Sequence, residues 1–295
     1  MNPSDEGCFK RRMRAAWDRS AEGWNRHSTI LRAWLGPTTG SMLDAAGVAP
    51  GMRVLDVAAG AGDQSLDAVA RVGPAGRVVA TDLSPAIVAL AGENFRRAGL
   101  ANVEAKVADA EGPGFDAGPF DAAICRLGLM FCADPAKALR NVHASLVSGR
   151  RFAAVVFAEP DGNPCVRISV ATAAACAGVP APDPRAPGGL FSLCDAASLE
   201  AVFRDQGFDG VATQRITAPL RLAGADAYVN FLRTSASPIQ QLLAPLDPDA
   251  QARAWREIAL RLSIFDGRQG WVGPNELLLC SGSAAAESAR DGRRR

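Results

Sequence analysis

The chain has 295 residues, 32 Lys+Arg against 31 Asp+Glu, and a formal net charge of +1. That length allows one large domain or two small ones, and with 48% hydrophobic residues a sizeable core needs no covalent staples. The near-neutral balance argues against broad electrostatic capture of nucleic acid or of an anionic membrane. Seven scattered cysteines without a CxxC pair, and only two histidines (His27 and His143), argue against a disulfide framework and against a bound metal. No apolar run approaches 18 residues, and the opening MNPSDEGCFKRRMR has no apolar stretch of signal-peptide kind. A reduced, cytoplasmic protein without a membrane span is expected.

In chain order, residues 1–50 read as two or three helices forming an N-terminal cap that carries Trp17, Trp24 and Trp34. Its basic run Lys10–Arg14 suits a solvated helix face. Trp17 and Trp24, seven apart on one helical face, suit core packing or a lid over a bound molecule. Five apolar runs follow: Arg53–Ala58, Arg77–Thr81, Val103–Ala108, Phe120–Cys125 and Arg151–Phe157. They alternate with amphipathic stretches in the rhythm of βαβ units. Ser84-Pro85 and Asp134-Pro135 offer N-caps with proline at the first helical position, and Gly99 and Gly149 offer stops. This alternation predicts a mostly parallel sheet covered on both faces.

Beyond it, Gly178–Gly189 reads as a loop, Asp195 caps a helix ending at Gly207, and Val211–Leu222 and Asn275–Ser281 read as two more strands. The expected organisation is a cap (1–50), a core (51–222), a helical lid insertion (223–270), a last core strand (271–283) and a disordered tail (284–295). The acceptor pocket is expected from residues 10–35, 160–195 and 225–265.

The informative segment is Val54–Asp63, reading VLDVAAGAGD: an acid at a strand end, a small-residue turn, then a helix. Glycine at 60 and 62 lets the backbone approach a ligand, beside the free N–H groups of a helix start. The bland reading is a turn that needs small residues. Two further strand ends add weight: Asp82, 22 residues after Gly60, suits ribose hydroxyls, and Ala108-Asp109-Ala110-Glu111 suits an adenine edge. Three acids at consecutive strand ends form one rim of an open sheet, where ligands bind. Ser65 stands where a dinucleotide fingerprint needs a third glycine, and Asp56 would oppose a pyrophosphate. A ligand with an amino group, S-adenosylmethionine, fits better than NAD.

With Val54–Asp63, Ala80–Pro85, Asp109–Glu111 and Phe120-Asp121 leading into Arg126–Phe131, the chain resembles the class I S-adenosylmethionine-dependent methyltransferases. The similarity is greatest to the branch of the ubiquinone and menaquinone biosynthesis methyltransferases, over roughly residues 50–160. It implies an α/β, Rossmann-like, doubly wound and mostly parallel seven-stranded sheet, with a helical insertion between the last two strands. It also implies that Asp56, Ala58, Gly60 and Gly62 line the methionine end, Asp82 and Leu83 hold ribose and adenine, and Asp109 and Ala110 the adenine edge. Arg126 would lie near the cofactor's amino group or the reaction centre. Where the family usually has Lys-Pro-Gly-Gly, this chain has Val147-Ser148-Gly149-Arg150.

Methyl transfer asks the protein to align donor and acceptor and exclude water, with a base only for a protonated nucleophile. His27 is the candidate base or acceptor contact; His143 suits packing. The expected activity is methylation of O, N or C of a small apolar acceptor, aromatic or quinone-like, by a monomer or homodimer. An NAD-dependent oxidoreductase and a non-catalytic binding protein are the alternatives.

Overall fold

The computed structural model describes residues 3–115, 118–235 and 237–285. The tail expected from 284 lies outside these residues, save Ala284, which ends a strand, and Ala285. The first half contains α1 (Pro3–Arg26), α2 (Ser28–Ala45), β1 (Arg53–Val57), α3 (Asp63–Val72), β2 (Arg77–Asp82), α4 (Pro85–Arg97), β3 (Val103–Val107), β4 (Phe120–Arg126), α5 (Pro135–Ser145) and β5 (Leu146–Phe157). The second half contains α6 (Pro164–Ala177), α7 (Ala196–Asp205), β6 (Phe208–Thr217), β7 (Leu220–Leu222), α8 (Ala225–Ser235), α9 (Ser237–Leu243), α10 (Pro248–Leu262), β8 (Asp266–Gly267), β9 (Gly270–Gly273) and β10 (Glu276–Ala284).

Seven strands form one sheet in the order β3-β2-β1-β4-β5-β10-β6. β3 through β5 run parallel, and β10 lies antiparallel to both β5 and β6. The central strands are apolar without alternation because helices cover both faces: Val54, Leu55, Ala122, Ala123, Ile124, Val155 and Val156 have no exposed surface. Each buried Val, Leu or Ile contributes about 2 kcal/mol. The helix starts act as written in the sequence. Ser84, Asp134, Asp195 and Asp247 each accept a hydrogen bond from the backbone N–H three residues on.

Several boundaries differ from expectation. α5 ends at Ser145 and passes directly into β5, so Gly149 (φ 79°) lies inside a strand. The β4–β5 register jumps there, from Phe120 opposite Leu146 to Ala122 opposite Arg151, and glycine accommodates the bulge. The single strand expected at Val211–Leu222 is two, β6 and β7, parted at Pro219, which has no N–H to donate to a ladder. β7 instead pairs with β9, and β9 with β8, in a separate three-stranded sheet. The last core strand therefore starts at Glu276, and Gly270–Gly273 belongs to the small sheet. α6 was without a sequence expectation.

Candidate active site

β1 delivers the chain into the turn Ala58–Gly62 at the sheet's carboxyl edge. Gly62, at φ 92°, precedes the first residue of α3, and a Cβ there would stand 2.5 Å from the Phe95 ring of α4. Ala58 and Leu127 are the described non-glycine residues with positive φ, at 53° and 58°. Each costs about 1–2 kcal/mol relative to glycine in that conformation. They stand at the ends of neighbouring strands, and a side chain at Gly128 would collide with the Ala58 methyl. Strain of this kind gathers where a fold shapes a ligand site.

The three rim acids are held differently. Asp56 has no exposed surface; its Oδ1 accepts from Gln64 Nε2 at 2.9 Å and its Oδ2 from Ser65 Oγ at 2.5 Å. Burial pushes its carboxyl up to about 7, against these hydrogen bonds and the field of Arg126. Asp82 accepts from Gly60 N at 3.1 Å and Ser84 N at 3.0 Å, one on each oxygen. A carboxylate offers roughly four acceptor positions, so part of its capacity remains. Burial raises its pKa as well, opposed by the backbone donors of Ser84, Gly60 and Leu83. At the end of β3, Asp109 Oδ1 accepts from Glu111 N at 2.9 Å, and Glu111 accepts from Ala133 N and Asp134 N at 2.9 and 3.2 Å.

A cavity opens along this rim. Of the expected site residues, Ala58, Gly60, Asp82, Leu83, Asp109, Ala110 and Arg126 line it together. Asp56 and Gly62 do not: Asp56 lies beneath the wall and reaches it through Gln64, and Gly62 packs on Phe95. His27 is also outside the lining. It is 7% exposed, its Nε2 pairs with Thr234 Oγ1 at 2.8 Å, and its ring meets Phe231 edge-on. Burial, then the charge of Arg26, lowers its pKa, so its environment favours the neutral ring.

Among the polar wall residues, Lys10, Asp63 and Gln64 have no ligand role in the sequence reading, whereas Glu111 belongs to the Ala108–Glu111 segment expected at the adenine edge. Asp63 and Gln64 directly follow the glycine turn, a proximity the sequence displays; Lys10 comes from a run that reads as solvent-facing. Arg126 is 9% exposed and donates from Nη1 to Thr39 Oγ1 at 2.7 Å. Burial lowers its pKa, and Asp63, Asp56 and Asp67 oppose that. Burial raises the pKa of Asp63 in turn, against Arg126 and Arg32. One cavity end thus presents a buried guanidinium and a nearby carboxylate, neither ion-paired to the other within 4 Å among the described residues. The roof is supplied by Phe9, Met13, Trp17 and Trp24 of α1 with Leu31 and Leu35 of α2. No described residue of 160–195 or 225–265 lines this cavity; the insertion instead supports the end of α1 and the start of α2 from behind, through the Trp24–Phe231 contact at 6.0 Å and His27–Thr234.

This geometry, a mostly parallel sheet with an acid at three successive strand ends and a glycine turn between, is that of a Rossmann-like fold. Residues 54–149 match the family model of a methyltransferase domain. Over 119 residues the chain is 37% identical to a ubiquinone/menaquinone biosynthesis C-methyltransferase of Idiomarina loihiensis, covering 40% of this chain and 47% of that protein. The chain spans about half the length of the curated relatives it matches. Its fold is shared by the YcgJ protein of Bacillus subtilis, with a TM-score of 0.56 at 20% identity over 85% of this chain and 99% of that one. It is shared too by a phosphoethanolamine N-methyltransferase of Haemonchus contortus in complex with phosphomonomethylethanolamine and S-adenosylhomocysteine (TM-score 0.54, 15% identity, 90% of this chain and 60% of that one). Residues 54–149 thus match a methyltransferase domain, and the chain resembles the ubiquinone/menaquinone branch of the S-adenosylmethionine-dependent methyltransferases.

Proposed function

We propose that the protein is an S-adenosylmethionine-dependent methyltransferase acting on O, N or C of a small apolar acceptor, aromatic or quinone-like. The observation that carries this is the pairing of an acidic rim with a buried, incompletely bonded cation in one cavity. Asp82 retains acceptor capacity for a ribose hydroxyl, beside Leu83. Asp109 and Ala110 fit an adenine edge. At the other end, Arg126 fits a carboxylate and Asp63 an ammonium, the two charges of an amino acid; a guanidinium is the wrong sign to face an amino group. The Gln64 amide donates to Asp56, which leaves its carbonyl as an acceptor.

When bound, the cofactor's sulfonium supplies the activated methyl group. What remains for the chain is alignment and exclusion of water. Trp17, Trp24 and Phe131 form the aromatic wall for an acceptor: ring centroids lie 6.0 Å apart for Trp17–Trp24 and 5.2 Å for Trp17–Phe131. The buried indole N–H of Trp24 has no acceptor among the described residues, which suits an acceptor molecule carrying an oxygen. His27 is assigned to packing, since its ring is spent on Thr234 and Phe231.

Among the described residues no helix is long and apolar enough to cross a membrane, and no group of three or more His, Cys, Asp or Glu could hold a metal. The seven free cysteines support a reducing, cytoplasmic setting. Incubation with S-adenosylmethionine and a panel of phenols, quinols and amines, read by mass spectrometry, tests the proposal. A mass gain of one methyl group on a ring-bearing acceptor is expected. Cofactor binding with no methylated product across the panel would favour the binding-protein alternative.

A further inference from the structure

The α1 helix is fastened to the sheet rim at three points along its length. Near its start, Lys10 Nζ lies 3.0 Å from Asp109 Oδ2, 3.1 Å from Glu111 Oε2 and 3.0 Å from Glu6 Oε1. In the middle, Asp18 Oδ1 accepts from Ser84 Oγ and, at 3.4 Å, from Ala86 N at the start of α4. Near its end, Asn94 Nδ2 donates to Asn25 Oδ1 at 2.8 Å and to Ala61 O at 2.9 Å, which ties α1 and the glycine turn to α4. Between these points Phe9, Met13 and Trp17, spaced by four, line the cavity from above.

The fastenings are unequal. The Asn25 end continues into α2 and is braced by His27 on Thr234. The opposite end depends on the Lys10 cluster, whose ammonium and Glu111 carboxylate have side chains only 18% and 4% exposed. Solvent screening is weak there, unlike at an ordinary surface pair. Glu111 also receives Ala133 N and Asp134 N, so this one carboxylate joins α1 to the segment that leads from β4 into α5. Asp109 belongs to the adenine-side wall, so Lys10 grips the very residues on which the ligand would rest.

We infer that Lys10 is a positioning residue, which through Asp109 and Glu111 holds the start of α1 closed over the bound cofactor, and that release of this contact admits and frees the cofactor. This rests on the reading of the cavity as an S-adenosylmethionine site. Without the ammonium, the Asp109 and Glu111 carboxylates face each other unneutralised beneath α1. An arginine keeps the charge and the reach.

The test compares wild type, Lys10→Met, Lys10→Arg and, as a control away from the cavity, Lys106→Met. Backbone hydrogen exchange is measured in the cofactor-free proteins, and S-adenosylmethionine dissociation by stopped-flow tryptophan fluorescence. In Lys10→Met, exchange over residues 6–18 and cofactor dissociation are each expected to quicken about tenfold, the size of a lost charge-assisted hydrogen bond. Lys10→Arg restores most of both, and wild-type dissociation quickens with salt while that of Lys10→Met does not. Unchanged exchange over 6–18 in Lys10→Met overturns the inference. So does equal acceleration across the central strands, which would mark a general loss of stability. Absence of cofactor binding by wild type would remove the underlying reading, while the exchange data would still decide whether Lys10 holds α1.

Discussion

The rim of the sheet and the roof above it are built by different kinds of contact. Along the rim, Asp56 reaches residues eight and nine positions on, and Asp82 reaches Ser84, two positions on. The roof depends on pairs far apart in the chain: Lys10 with Asp109 (99 residues), and His27 with Thr234 (207 residues). Local contacts leave a pattern in a short window of sequence, whereas long-range ones leave only two unremarked residues. Under the proposed function the contrast also divides the work: the rim would carry the polar recognition of the cofactor and the roof the apolar surface for an acceptor.

Four substitutions or conditions would sharpen or break that division. Gly62→Ala is expected to have the largest effect, because it places a Cβ against the Phe95 ring at a φ that disfavours side chains. A loss of about 3 kcal/mol in denaturant unfolding is expected; a loss below about 1 kcal/mol would mean that the rim turn tolerates slack. Arg126→Met should lower S-adenosylmethionine affinity about a hundredfold, as for a lost hydrogen bond to a charged group. Stability should hold or rise, since a buried and incompletely bonded charge is removed. Unchanged affinity, measured by equilibrium dialysis, would remove the carboxylate role.

The third prediction concerns pH. Asp56 has its folded pKa raised from 3.8 to about 7, so between these values the folded state holds more protons than the unfolded one. Stability therefore falls as pH rises through that window, by at most about 1.4 kcal/mol per unit from this group. Asp63 and Asp82, also raised, act in the same direction. His27, whose pKa is lowered, acts oppositely: its share of stability grows as pH rises towards 6.5. Asp56→Asn should flatten the decline in chemical-denaturation curves; an unaltered slope would place its source elsewhere. The smallest effect belongs to the roof. Trp24→Phe keeps a ring and removes the unpaired N–H, and should raise KM for an oxygen-bearing acceptor about threefold with little change in cofactor affinity. A change in cofactor affinity instead would put Trp24 on the rim's side of the division.

The same contrast explains what could be read in advance. The five parallel strands, the caps at Ser84, Asp134 and Asp195, and the rim acids are each announced by a few adjacent residues. The small β7-β9-β8 sheet is not, because its pairing joins Leu220 to Gly273 across the whole insertion. Nor is the place of α1 over the cavity. Lys10 stands in a run of basic residues that suits solvent, and only its partners in the segment after β3 give it another role. His27 stands out in the sequence through the scarcity of histidine, and the fold gives it a buried bond to Thr234 outside the cavity lining.

The cofactor assignment rests on the rim. Titration calorimetry of the wild-type protein with S-adenosylmethionine, beside Asp82→Ala, tests it most directly. Saturable binding at one site is predicted for the wild type, with affinity at least tenfold weaker in a variant that still unfolds cooperatively. No heat from the wild type, or equal affinity in the two proteins, would contradict the assignment of this rim to the cofactor.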